Sequence, residues 1–100
     1  MANTQLEYHR LAIQEARNAK QWYDRASESA GRRFEQSVRQ ALDQIAEAPE
    51  RWPANPDGTQ FRRLPHFPYL IIYRRLENDR VRVIAISHSR RRPGYWSRRK

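Results

Sequence analysis

Apolar residues recur with helical spacing from Leu11 onward. Ala12, Ala16, Ala19, Tyr23 and Ala26 step alternately by four and three positions, which lays them along one stripe of a helix. A second stripe runs through Phe34, Val38, Ala41, Ile45 and Ala48, widened by Leu42. Between the two, Ser27-Glu28-Ser29-Ala30-Gly31 predicts a break, because it offers hydroxyl N-caps and a glycine that disfavours helix. So short a link makes the two helices antiparallel neighbours, and the alanines of the first let the bulkier stripe of the second come close. Pro49 closes the second helix, since the residue ahead of a proline is pushed out of the α region.

Past a loop over residues 51–59, which carries two prolines and the Asp57-Gly58 turn signal, the pattern becomes that of strands. Phe61-Arg62-Arg63-Leu64 is short. The runs from Tyr69 to Arg75 and from Val81 to His88 are longer and rich in β-branched and aromatic residues. Asn78-Asp79 separates them, and both residue types tolerate the positive φ of a tight hairpin turn. Leu6-Glu7-Tyr8-His9 predicts a short edge strand at the N-terminus. The centres of the two long strands are apolar on both sides of the pleat, so both faces of the sheet need cover. The helices supply one cover; the tail with Pro93, Tyr95 and Trp96, or a bound partner, is expected on the other. The pattern therefore predicts an α+β fold, an N-terminal αα-hairpin packed on a small, twisted, mainly antiparallel sheet. Residues 1–100 read as one domain, with no repeat and no linker.

Composition alone would pull the other way. Leu, Ile, Val and Phe number only 18 and the net charge is +9, values typical of disorder. Aromatic residues, at 11%, add large buried areas and the periodic placement implies a fold, so the expectation is a marginally stable domain that a tight partner would stabilise by mass action. The absence of cysteine excludes disulfides, thiolate metal sites and cysteine nucleophiles. The opening Met-Ala-Asn-Thr-Gln-Leu lacks the basic and apolar layout of a signal peptide. No apolar run approaches the roughly 18 residues of a membrane span. A cytoplasmic protein without membrane association is expected.

Charge divides the chain. Residues 1–48 hold seven basic and seven acidic side chains, whereas residues 49–100 hold thirteen and four, so all of the net +9 lies in the second half. Eighteen of the cations are arginines, with Lys20 and Lys100 the only lysines; arginine is the better fork for phosphate and carboxylate and stacks on bases. The segment from His88 to Lys100 holds six cations, no acid, and the aromatic pair Tyr95 and Trp96, a composition suited to an anionic surface or a nucleic-acid strand. A metal-free ribonuclease would need a base, an acid and cations for its charged transition state, and His88, Tyr95 and the arginines are the groups that could supply them. His9 and His66 make no metal-ligand spacing with His88, and Ser87-His88-Ser89 are strand neighbours rather than a triad, so metal and serine-hydrolase chemistry are set aside. No cofactor is expected.

The order of these parts resembles a known family. Glu15-Ala16, Trp22-Tyr23, Arg33-Phe34, Ala41-Leu42, Ile45 and Pro49 resemble the helical half of RelE/ParE toxins. Phe61-Arg62-Arg63-Leu64, Phe67-Pro68-Tyr69, Ile72-Tyr73 and Ala85-Ile86-Ser87-His88 resemble its sheet. The tail Arg90-Arg91-Arg92-Pro93-Gly94-Tyr95-Trp96 is similar to that of ParE-like plasmid-stabilisation toxins. The resemblance implies the toxin of a type II toxin–antitoxin system, held inactive by an antitoxin; the basic second half points to an acidic one. It implies either a non-enzymatic, DNA gyrase-directed toxin of ParE type or a ribosome-dependent messenger RNA endoribonuclease of RelE type. In the ribonuclease branch an arginine is expected where this chain has Leu70, which favours the ParE branch; Glu50 lies near the place of a carboxylate base in some ribonuclease relatives. Arg62, Arg63, His88, Arg90, Arg91, Arg92, Tyr95 and Trp96 are the expected target-binding residues, and His88, Arg62 and Tyr95 the catalytic set if the chain is a ribonuclease. A non-toxic basic module binding RNA or the ribosome is the alternative outside the family.

Overall fold

A computed structural model describes residues 4–100; residues 1–3, which entered the reading of the N-terminus, lie outside the described residues. In chain order the elements are β1 (Gln5–Tyr8), α1 (Arg10–Ala26), α2 (Glu28–Glu47), β2 (Gln60–Arg63), β3 (Tyr69–Leu76) and β4 (Arg80–His88), with a 3-10 turn at Pro49–Arg51. The strands form one mixed sheet in the order β1-β4-β3-β2. β3 is antiparallel to β2 and β4, and β1 runs parallel to β4 at the edge.

The helical hairpin turns on one residue. The backbone N–H of Ser27 donates to the Tyr23 carbonyl and closes α1, while its hydroxyl accepts the Ala30 N–H at 3.0 Å and opens α2. The break expected across Ser27–Gly31 is thus confined to Ser27, and Gly31 is a buried residue inside α2. A Cβ at Gly31 would fall 1.6 Å from Asp24 Oδ1. The glycine therefore serves the close approach of the two helices and does not interrupt the second. At the other end of α1, His9 caps the helix, its Nδ1 accepting the Leu11 N–H at 3.1 Å.

Ala12, Ala19, Phe34, Ala41 and Ile45 turn inward and meet Ile71, Tyr73, Val81, Val83 and Ile86 of the sheet. Ala26, the last position of the first stripe, is exposed because α1 ends there. Asn78 and Asp79 take φ of 61° and 55°, the left-handed pair that a two-residue hairpin needs to match strand twist. Along β4 the pairing with β3 skips Ile84: Ile72 faces Ala85 and Tyr73 faces Val83. This bulge puts two successive residues, Ile84 and Ala85, on the same face. Val83 and Ile86 accordingly sit in the helix-side core, while Ile84 and Ala85 join Ile72 and Trp96 on the opposite side. The tail thus covers the second face of the sheet.

Candidate functional site

The tail leaves β4 at His88 and folds as a string of turns, closed by Arg91 N–H to the His88 carbonyl, Ser97 N–H to Gly94 and Arg99 N–H to Trp96 at 3.0, 3.0 and 2.8 Å. Gly94 takes φ +84°, a left-handed conformation that a residue without Cβ adopts freely. Two anchors hold this strap down. Trp96 is buried against Ile72, Ile84 and Ala85, and its indole N–H donates to Asp57 Oδ2 at 3.2 Å. Asp57 also accepts the backbone N–H and the hydroxyl of Thr59, at 3.0 and 2.6 Å. Burial raises its carboxyl pKa, but the bonds from Thr59 and Trp96 outweigh that and leave it below the ordinary value.

The second anchor is Glu15, on the inward side of α1. Its carboxylate accepts a bidentate pair from Arg99 at 2.9 and 3.0 Å, the Tyr95 hydroxyl at 2.8 Å and the Ile86 backbone N–H at 3.0 Å, with Arg91 at 3.5 Å. Arg99 donates to the Ile84 carbonyl as well, at 3.1 Å. The location explains the arrangement: β1 pairs with β4 only as far as Tyr8 opposite Val83, and just beyond that point Glu15 and Arg99 take up the backbone of Ile84 and Ile86. The side chain of Glu15 is only 15% exposed and that of Arg99 13%, a pair that is stable where the charges are matched and the remaining hydrogen-bonding sites are filled.

The residues singled out from the sequence fall into separate places. Arg62 points to the helix side, where its Nε and Nη2 donate to Gln44 Oε1 at 3.2 and 2.9 Å and its guanidinium lies 4.4 Å from the centre of the Trp52 ring. Arg63, its neighbour, is exposed and lines a cleft of about 260 Å³ on the tail side with His88, Arg91 and Trp96. His88 packs edge-on against Tyr69 at 5.0 Å, and its Nδ1 accepts the Arg90 backbone N–H at 3.0 Å. With that nitrogen as acceptor, the neutral ring carries its proton on Nε2. Tyr95 is held by Glu15 and has the Arg91 guanidinium 3.7 Å from its ring centre; burial and then the carboxylate raise its pKa to about 12. Arg90 and Arg92 are exposed. Leu70 borders the cleft. Glu50 is exposed on the 3-10 turn, which is fixed by the Tyr73 hydroxyl and the Gln60 amide donating to the Pro49 carbonyl at 2.5 and 2.8 Å.

Glu15 and Arg99 are the members that sequence reasoning passed over. A signal existed for Glu15: it stands three residues after Ala12 and four before Ala19, an acid on the buried stripe. Arg99 carries none, since nothing in the sequence separates it from the other tail arginines.

An antiparallel αα-hairpin over a small mixed sheet, strapped by an arginine-rich tail, is the architecture of a small toxin of the RelE/ParE superfamily. The model of the family described as "ParE toxin of type II toxin-antitoxin system, parDE" matches residues 6–93, and the chain belongs to that family. Among solved structures it is similar to one described as "Chromosomal ParDE TA system from P. aeruginosa", with a TM-score of 0.71 and 14% identity over 85% of this chain and 95% of that one. At that identity the likeness is one of fold. No curated protein matches the chain by sequence. The chain is therefore a ParE-like toxin component of a type II system, whose counterpart is an antitoxin. Among the described residues no helix is long and apolar enough to cross a membrane. The family match ends at residue 93, so the roles of Tyr95, Trp96 and Arg99 rest on the geometry of this chain.

Proposed function

We propose that this toxin acts in the cytoplasm on DNA gyrase, as a binder that performs no chemistry of its own. The observation that carries the reading is the dispersal of the groups a ribonuclease would need. Arg62 is bonded to α2 on the helix side, whereas Tyr95 lies on the tail side with its hydroxyl committed to Glu15. The Nδ1 lone pair of His88 is already taken by a backbone N–H, and Leu70 adds no charge for a phosphorane. What the tail side presents instead is cationic surface: Arg63, Arg90 and Arg92 are exposed, and such a surface steers and holds an anionic partner.

The antitoxin is an acidic, amphipathic segment that occupies the groove between α1, α2 and β1. Leu6, Tyr8, Phe34, Val38 and Leu42 line this groove of about 330 Å³, with Arg17, Lys20 and Arg39 on its border beside Glu35 and Asp43. An apolar floor with a basic border fits a helix that carries apolar residues on one side and acids on the other. Gyrase supercoiling and cleavage of ribosome-bound messenger RNA, measured side by side with purified wild type and His88→Gln, test the proposal. Wild type is expected to inhibit supercoiling and leave the messenger RNA intact, with His88→Gln nearly unchanged. Cleavage by wild type that the folded variant loses by about 10²-fold or more, the size of a general acid–base contribution, would overturn it.

A further inference from the structure

The flank of α2 turned toward the loop between β2 and β3 carries polar side chains that the fold leaves unused. Arg33, Ser37 and Gln40 follow one another at four and three positions along one side of the helix, with Gln36 beside them. The loop residues Pro65, His66 and Phe67 form the facing wall of a trough of about 460 Å³. The helical row continues at Gln44, whose amide oxygen is taken by Arg62. Arg33, Gln36, Ser37, Gln40 and His66 make no side-chain hydrogen bond or ion pair among the described residues, and no carboxylate lines the space. The wall is fixed in advance, because the Phe67 ring packs on Tyr23 and Phe34 with centres 5.0 and 5.3 Å apart. The groove assigned to the antitoxin lies on the other flank of α2, lined by Val38, Arg39 and Leu42, about half a turn around the helix.

We infer that this trough binds a phosphomonoester, with the phosphate between Arg33 and His66 and the ester body along Gln36 and Gln40. Donor geometry favours phosphate over carboxylate. A carboxylate takes its bonds in one plane and is satisfied by a single guanidinium fork. Here a guanidinium, an imidazole N–H and the Ser37 hydroxyl line the space from two walls, as suits a tetrahedral anion with three acceptor oxygens. The carboxamides of Gln36 and Gln40 both donate and accept, which fits neutral polar groups on the ester body. The surrounding charge favours one phosphate over a polyanion. Residues 1–48, which include all of α2, carry no net charge, and His66 is the only basic side chain between Arg63 and Arg74. A chain of phosphates has no row of cations to follow there. Both walls stand ready before a ligand arrives, so little ordering accompanies binding. This inference does not depend on gyrase as the target, and it is measured without gyrase.

The experiment uses the isotopically labelled full chain near neutral pH at fixed ionic strength, with inorganic phosphate as the probe. The readout is the pair of backbone amide resonances of Ser37 and His66, one from each wall. Phosphate is expected to shift both to saturation with a common dissociation constant, and acetate to need about ten-fold more. Arg33→Gln should weaken phosphate about ten-fold and His66→Gln about five-fold, as for charge-assisted and ordinary hydrogen bonds. Arg32→Gln, an exposed neighbour outside the trough, should weaken it by no more than about two-fold, as for a screened charge; circular dichroism confirms all three folds. Glycerol phosphate and a phosphoserine tripeptide, titrated in parallel, tell a small phosphomonoester from a phosphorylated chain, the tighter of the two naming the source. Shifts that never saturate, acetate binding as well as phosphate, or equal losses in Arg32→Gln and Arg33→Gln would overturn the inference and leave only diffuse attraction between a basic protein and any anion.

Discussion

On the helix side of the sheet, Ile71, Tyr73 and Val83 meet Phe34, Ala41 and Ile45, and the layers are held mainly by apolar surface. On the tail side, Ile72, Ile84 and Ala85 meet essentially one large buried side chain, Trp96, and its cover is held by carboxylates. Glu15 grips Tyr95 and Arg99, and Asp57 grips Trp96. The first face is closed by two full helices whose packing needs no particular charge. The second is closed by a dozen residues too few to bury themselves, so polar bonds do what area cannot. A short segment can be made part of a fold in this way, and its stability then depends on charge state and on single atoms.

The two sides can be set against each other by substitution. Ile45 is fully buried under the helices, and Ile45→Ala should cost about 2–5 kcal/mol, enough to unfold a domain of this size; Ile72→Ala should fall at the low end of that range because the strap can settle into the space. Equal shifts in urea midpoint for the two would show that the tail face is as rigidly packed as the helix face. Glu15→Gln should cost less, about 1–3 kcal/mol for charge-assisted bonds lost from a partly buried site, and should release the strap first. Limited proteolysis is then expected to clip the variant after His88 while the helices and sheet stay folded; a single cooperative loss of both would make the strap inseparable from the core. Asp57→Asn should be milder, about 1 kcal/mol, because its amide oxygen can still accept from Thr59 while its NH2 cannot accept the Trp96 indole N–H; it should be visible as a change in tryptophan emission with little change in melting temperature.

A pH titration sharpens the same contrast. Burial pushes the Tyr73 and Tyr95 phenols up to about 12, Tyr95 with added help from Glu15. The folded chain then keeps protons that the unfolded chain surrenders above about pH 10. This contribution to stability is complete below pH 10 and is lost as the pH rises through about 12. Tyrosinate absorbance should therefore lag in the folded protein, and Glu15→Gln should let Tyr95 ionise earlier without moving Tyr73. Unchanged titration in that variant would mean that Glu15 does not govern the strap.

Local chemistry made much of the fold legible. The stripes through Ala12 and Phe34, the stop at Pro49 and the Asn78-Asp79 turn each follow from a few neighbouring residues, and each is present. What could not be read depends on distance. Gly31 looks like a helix breaker until Asp24, seven residues earlier on the other helix, is seen to fill the space of its Cβ. The bulge at Ile84 leaves no mark in an unbroken run of apolar residues, yet it decides which of them face the helices. Arg62 and Arg63 read as one basic pair, but strand alternation sends them to opposite faces. Tyr95 and Trp96 read equally well as rings for a partner and as cover for the sheet; only the position of Glu15, some eighty residues away in sequence, decides for Tyr95.

The place where β1 gives out has one more consequence. An edge with bare amides and carbonyls is a template on which a second chain can lay a strand, and natural sheets guard against it. At Ile84 and Ile86 that role falls to a carboxylate and a guanidinium, which occupy the backbone as a neighbouring strand would while presenting nothing that can be extended further. The clasp that fastens the tail is therefore also a barrier to self-association, and a toxin released from its antitoxin would keep that barrier.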